Sequence, residues 1–221
     1  MIKDNILIVK ERISASCARI KADPLDITVI CVTKGRSIAE ILEAVNSGLC
    51  HLGENRVQEA REKCRQIPEA DWQMIGHLQL NKVKEAVKIF SLIHSVDSIE
   101  LAREINKQAA KIGKVQDILL EAKTSPEPAK FGFIPEMILD ASREILSLNN
   151  LRIKGLMTIA PSVNDPEEAR QYFTKLKGLR DMLDPSWILS MGMTDDFEVA
   201  IEEGATIVRI GRAIFSKRRG Q

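Results

Sequence analysis

The sequence is short of the residues that build metal centres. It has three histidines, His51, His77 and His94, and four cysteines, Cys17, Cys31, Cys50 and Cys64. The cysteines lie far apart with no CxxC pair, and no Cys/His/Asp cluster has ligand spacing, so no metal site is expected. Two of the cysteines sit within apolar strand-like runs, which reads as reduced, buried thiols in a cytoplasmic protein. Long hydrophobic runs are also missing. The opening MIKDNILIVKERI is interrupted by charges throughout and fits neither a secretory signal nor a membrane span. The formal net charge is only +1, so no overall field favours nucleic acid or an acidic membrane. The basic SKRRG stretch (216–220) reads as a solvated tail. No Gly/Ser-rich linker or low-complexity segment divides the chain, and 221 residues suit one buried core better than two. A single domain over 1–221 is expected.

What is present is alternation. Strand-like runs fall at 27–33, 50–54, 72–78, 91–97, 115–122, 151–160, 187–193 and 206–215. They are too apolar for half-exposed antiparallel strands and suit parallel strands covered by helices. Helical patterns lie between them. SIAEILEAVNSG can be capped by Ser37 and stopped at Gly48. DPEEARQYFTKLKGLRDML opens with Asp165 as cap and Pro166 in the first turn, and Phe173, Leu176, Leu179 and Leu183 form its apolar stripe. An additional N-terminal helix presents Ile2, Ile6, Val9, Ile13 and Cys17 along one face. Eight strands alternating with helices predict an α/β fold, a (β/α)₈ TIM barrel with an extra N-terminal helix. A doubly wound open sheet is the runner-up.

Barrel chemistry collects at the C-terminal ends of the strands. Strand 1 there delivers Lys34. Strand 7 runs into Gly192, Thr194 and Asp195 just before a helical pattern, and strand 8 offers Gly211 and Arg212. Those two loops are where barrels often bind phosphate, with helix amides and a hydroxyl as donors. Alternatively, Thr194 or Asp195 simply caps the helix. Lys34 likewise has two readings, an exposed ammonium or, at a low-dielectric mouth, a desolvated amine able to attack a carbonyl. An amine opposite a phosphate site suits pyridoxal 5'-phosphate (PLP) or a sugar phosphate in a Schiff-base aldolase, and spacing alone does not choose. His77 and His94 lie in apolar runs and read as hydrogen-bonded core histidines. SPEPAKFGF (125–133) reads as a mobile loop and its Lys130 as solvated.

The strings VTKGRS, HLGENRVQEA, WQMIGHLQLNK, IHSVDS, SPEPAKFGF, GLMTIAP and LSMGMTDDFEVAIEEGATIVRIGRAIF, in this order, resemble the pyridoxal phosphate homeostasis protein family across nearly the whole chain. The resemblance implies a barrel like the N-terminal domain of alanine racemase, holding PLP as an aldimine. Carried over, Lys34 matches the Schiff-base lysine and Arg209 the residue facing the pyridine nitrogen. Asn55 matches a contact near the ring hydroxyl, and Met157 a contact beside the ring. Ser190, Thr194, Gly211 and Arg212 match the phosphate cradle. An arginine at the ring nitrogen makes the ring a poor electron sink. The sequence departs from the usual pattern at His51, Gly35-Arg36 and Gln73-Met74, which are expected to alter the edges of the pocket. The resemblance implies a PLP carrier in vitamin B6 and amino-acid homeostasis, without robust catalysis. A low-activity amino-acid racemase or a Schiff-base aldolase is the alternative. Two-base racemisation fits poorly, because the one tyrosine, Tyr172, falls in a predicted helix and only six residues follow Phe215, too few for a racemase's second domain. PLP-requiring apoenzymes are the implied partners. No unmatched apolar helix face calls for a second copy, so a monomer in the cytoplasm is expected.

Overall fold

The computed structural model describes residues 1–127 and 131–216, so Lys130 and the basic tail beyond Ser216 lie outside the described residues. Eight strands alternate with helices along the chain. They are β1 (Thr28–Val32), β2 (His51–Glu54), β3 (Asp71–Met74), β4 (Leu92–Val96), β5 (Gln116–Glu121), β6 (Leu151–Met157), β7 (Ile188–Ser190) and β8 (Ile207–Ile210). All neighbouring pairs are parallel and β8 pairs back to β1, closing the barrel in sequence order. The open-sheet alternative is thereby excluded. The helices are α1 (Ile2–Ile20), α2 (Ile38–Asn46), α3 (Val57–Cys64), α4 (Val83–Ile89), α5 (Ile99–Ala110), α6 (Ile138–Leu146), α7 (Arg170–Leu183), α8 (Phe197–Glu202) and α9 (Arg212–Phe215).

The strands are shorter than their apolar runs. β3 stops at Met74 rather than at Leu78, and β6 at Met157 rather than at Ala160. β8 stops at Ile210, and the RAIF that looked like its continuation is the short helix α9. The cause lies in burial on both faces: residues beyond a strand's end stay apolar because they cover the core from loops and short helices. Hydropathy alone cannot mark where the ladder ends.

Local signals hold elsewhere. Ser37 caps α2 in a capping box with Glu40, the Ser37 hydroxyl accepting from the Glu40 amide and the Glu40 carboxylate accepting from the Ser37 amide. Asp165 caps a 3₁₀ turn, Pro166–Ala169, that leads into α7. The extra helix α1 buries Ile2, Ile6, Val9, Ile13 and Cys17 against the core. At about 1.5–3 kcal/mol for each large apolar side chain, that stripe outweighs any preference of the helix for solvent. Arg12 pairs with Glu198 at 2.8 Å and lies over the Phe197 ring, 4.6 Å from its centroid. Buried Asn5 donates to the carbonyls of Ile214 and Ser216. Helix α1 thus holds α8 and α9, the two helices that follow the predicted phosphate loops.

Two apolar layers result. The larger lies between strands and helices. The smaller fills the barrel itself with Ile30, Ile75, Leu92, Leu119, Met157 and Ile207, backed by Val32 and Ile188. Among the described residues no helix is long and apolar enough to cross a membrane, and no group of His, Cys, Asp or Glu is arranged to hold a metal ion.

Candidate functional site

Lys34 sits in the turn that follows β1, two residues past the strand end. Its side chain is exposed and has no hydrogen bond or ion pair to any described residue. Of the two readings open for Lys34, the structure gives the exposed ammonium. The desolvated lysine nearby is Lys63, on α3, whose side chain is only 9% exposed. The Lys63 ammonium donates to the Thr33 carbonyl at 2.6 Å, to Glu54 Oε1 at 2.7 Å and to Glu59 Oε1 at 2.6 Å. Glu59 Oε1 also accepts from the Gly35 amide at 2.6 Å, and Glu54 Oε1 accepts from the Thr33 hydroxyl at 2.5 Å. The residues before and after Lys34 are thus both tied to one buried ionic cluster. Backbone order is set around Lys34 while its amine stays open. Burial pushes the Glu54 carboxyl upward, against the hydrogen bonds from Lys63 and Thr33. Burial acts the same way on Glu59, but hydrogen bonds from Lys63 and the Gly35 amide hold it below its ordinary value. Sequence reading missed Lys63. An E-x-x-x-K spacing, Glu59 to Lys63, was its only visible signal, and it looks the same on any solvated helix.

Arg209 lies on β8 with its side chain turned into the barrel, and it is 4% exposed. In register it neighbours Ile30 on β1, the strand that leads to Lys34. Its guanidinium donates to the Ser190 hydroxyl at 2.7 Å and to the Thr158 carbonyl at 2.8 Å. Both partners are neutral. Burial lowers its pKa to about 10, while the more distant carboxylates of Asp196 and Glu121 oppose the shift. Glu121 ends β5 nearly buried; desolvation and the Asp97 carboxylate push it up to about 7, with Arg209 opposing.

Met157 ends β6 and is fully buried in the inner apolar layer. Ser190 ends β7, its hydroxyl engaged by Arg209 and by His94. Asn55 follows β2 and is half-buried. The chain after β3 crosses so close that a Cβ on Gly76 would stand 2.7 Å from the Asn55 backbone. A groove of about 590 Å³ opens between these two loops, lined by Asn55, Arg56, Gly76, His77, Gln79 and Lys82; Lys34 and Arg209 are not part of its lining.

Thr194 does not cap α8. Asp196 occupies that position and its carboxylate accepts from the Met193 amide at 2.6 Å, while the Thr194 hydroxyl accepts from the Ala213 amide at the start of α9. The loops after β7 and β8 are thereby joined. Gly192, at φ +90°, lets the first of them pass α8; a Cβ there would stand 2.5 Å from that of Ala200. Gly211 brings the second against β1, where a Cβ would meet Val32 at 3.2 Å. Arg212 is exposed and pairs with Asp195.

His94 is a core histidine, as read from the sequence. His77 is not: it lies beyond the end of β3, exposed, stacked on Phe131 with centroids 3.7 Å apart and bonded to Asp97 at 2.9 Å. Phe131 belongs to the loop after β5, whose end is fastened by bonds from the Phe133 amide to Glu121 and from Lys123 to the Phe133 carbonyl. His51 and Gln73, expected at the pocket edge, instead point into the barrel below it, in contact with Asp71.

The model of the alanine racemase N-terminal domain matches residues 1–218. A pyridoxal phosphate homeostasis protein from Aquifex aeolicus is 44% identical over 218 residues, 96% of each chain. The Escherichia coli protein of the same name is 34% identical, covering 98% of this chain and 97% of its own. The chain belongs to the pyridoxal phosphate homeostasis protein family. Among solved structures, PipY of Synechococcus elongatus with PLP bound is 33% identical with a TM-score of 0.81, covering 94% of this chain and all of that one (100%). The Clostridium difficile alanine racemase shares the fold at 18% identity and a TM-score of 0.77, this chain matching 58% of its length.

Proposed function

We propose that this protein holds PLP through Lys34 and releases it again, acting in the intracellular supply of that cofactor. The observation that carries the reading is an open lysine amine in the turn after β1 beside a strand, β8, that carries a buried, neutral-bonded arginine. It occurs in a chain similar over 94% of its length to a protein solved with PLP. PLP supplies an aldehyde that condenses reversibly with a primary amine, releasing water. Every other requirement falls on the chain. Lys34 is the amine, and the Lys63 cluster fixes its turn. Arg209 would face the pyridine nitrogen as a fixed cation, and Met157 and Asn55 would hold the ring from beside it and near its hydroxyl. Thr194, Gly211 and Arg212 would receive the phosphate where the loops after β7 and β8 meet, whereas Ser190, expected in that cradle, has its hydroxyl engaged by His94 and Arg209 and would act by holding Arg209. The fit is chemical: a free amine, a hydroxyl and cations at one mouth, with a glycine that keeps the approach open.

Carrier rather than catalyst is the function proposed. Two-base racemisation needs a second proton-transfer group opposite the lysine. The one tyrosine, Tyr172, lies on α7 with its ring packed on the core, beside Lys175. An arginine at the ring nitrogen also withholds the proton that would draw electrons into the ring. PLP-requiring apoenzymes are the proposed recipients, served by a monomer in the cytoplasm.

The test is the absorption spectrum of the purified protein with added PLP. Wild type should gain a visible band that borohydride traps on Lys34, and Lys34→Ala should show neither band nor adduct. A wild-type protein without a band at saturating PLP would overturn the assignment.

A further inference from the structure

The inside of the barrel carries one continuous line of hydrogen bonds that runs from its N-terminal end to Arg209. The His51 ring nitrogen Nδ1 lies 2.7 Å from Asp71 Oδ2. The Gln73 amide donates to the same oxygen at 2.6 Å. Gln73 Oε1 lies 2.7 Å from His94 Nε2, and His94 Nδ1 lies 2.9 Å from the Ser190 hydroxyl, which accepts from Arg209. Gln73, His94, Ser190 and Arg209 are all at most 5% exposed.

The direction of each bond follows from donor arithmetic. Asp71 is held ionised, at about 2: burial opposes this, but bonds from His51, Ser91 and Gln73 prevail. An ionised carboxylate only accepts, so His51 carries its proton on Nδ1 and Gln73 presents its NH₂ group. Reversing that amide would set oxygen against carboxylate. Gln73 Oε1 must then accept, so His94 carries its proton on Nε2. Its Nδ1 is left as an acceptor, and the Ser190 hydroxyl donates to it. The lone pairs of Ser190 therefore turn toward Arg209. Each partner has one available arrangement, and buried chains of this kind reinforce one another in low dielectric.

The charges facing His94 agree with a neutral ring. Burial, with Arg209 on β8 standing against protonation as well, brings His94 down to about 3; Asp71 on β3 opposes more weakly. Glu121 on β5 faces Arg209, while Asp117 on β5 is committed to Arg152 of β6 at 2.6 Å.

We propose that His94, as its neutral Nε2–H tautomer, is a positioning residue for Arg209, and that Gln73 and Asp71 impose that tautomer from the opposite end of the barrel. The inference rests on the reading of Arg209 as a PLP-facing cation. It assigns a role to a histidine that never needs to touch the cofactor: it spends the Ser190 proton, so that the hydroxyl can only accept from the guanidinium.

The experiment has two arms. The first uses the protein without added PLP, labelled with ¹⁵N at histidine. His94 should show a pyridine-type Nδ1 and a pyrrole-type Nε2, unchanged from pH 5 to 9. Gln73→Leu, which removes the acceptor, should give a mixture of tautomers. A His94 that titrates in this range, or that carries its proton on Nδ1, overturns the proposal whether or not PLP binds. The second arm measures PLP dissociation. His94→Leu should weaken binding roughly tenfold, the loss of one hydrogen bond to a charged group. His94→Asn, whose Oδ1 lies near the position of Nδ1, should restore most of it. Equal losses in the two variants, following their thermal stabilities, would make His94 a packing residue and end the proposal. Wild type that fails to bind PLP would instead refute the function proposed above, leaving the first arm to judge the chain.

Discussion

The two cations at the barrel mouth are held in opposite ways. On the β1 side, the turn that carries Lys34 is fastened by buried charges: Lys63 against Glu54 and Glu59. On the β8 side, Arg209 is itself the buried charge, and it is fastened by neutral groups, Ser190 and the Thr158 carbonyl. The difference suits the roles proposed for the two. For Lys34, proposed as the reacting amine, the support grips the backbone on either side and ignores the side chain. For Arg209, proposed as a fixed cation, the support grips the guanidinium. A carboxylate bonded directly to Arg209 would compete with any ligand for it, whereas neutral acceptors orient the group and leave its charge available. Dipoles position Arg209; ions position Lys34.

The contrast breaks most visibly at Lys63. Lys63→Met leaves Glu54 buried without its countercharge, and removing one partner of a buried pair costs about 3–5 kcal/mol. Urea denaturation should report a loss in that range, and Glu54→Gln added to Lys63→Met should recover part of it. A loss under ~1 kcal/mol would mean the cluster is solvated and does not brace the turn.

The Arg209 side can be strained through its backbone. The Gly192 carbonyl accepts from the Arg209 amide at 3.0 Å. Gly192→Ala puts a side chain in the left-handed region against Ala200 and should cost about 1–3 kcal/mol, read as a lowered thermal midpoint. Its PLP affinity should fall while Lys34 remains trappable by borohydride. If trapping is lost as well, the two sides of the mouth are not independent.

The smallest effect is expected at the far end of the chain of hydrogen bonds. Asp71 has its pKa lowered to about 2 from 3.8 in the fold, so the stability it contributes is present above 3.8 and is lost as pH falls toward 2. The His51 pKa is raised, first by its bond to Asp71, so its contribution is full below 6.5 and fades as pH rises through the raised value. Asp71→Asn should flatten both limbs of the stability profile, by about 1 kcal/mol because the pair is partly exposed. An acid limb as steep in Asp71→Asn as in wild type would assign it to other carboxylates.

Much of this architecture was legible beforehand. Alternating apolar runs and helical stripes predicted the barrel, and Ser37, Asp165 and the stripe on α1 behave as their local chemistry dictates. Lys34, Thr194, Gly211 and Arg212 do stand at strand ends. The strand ends themselves were not legible, because RAIF of α9 is as apolar as the strand before it. Which of the two readings of Lys34 holds was also hidden, since one lysine after a strand looks like another. His77 and His94 sit in similar strings, yet one stacks on Phe131 at the surface and the other is sealed between Gln73 and Ser190.

What the amino-acid sequence by itself determined is the periodic part: which faces are apolar, where helices begin and that the strands must be parallel. These follow from propensity and pattern, which act over a few residues. Only the tertiary structure decided which lysine is desolvated, which histidine is neutral and which way the Ser190 hydroxyl points. Those properties depend on groups brought together from β2, β3, β4, β7 and β8. Burial and hydrogen-bond direction belong to the closed barrel as a whole, and they become defined only when it closes.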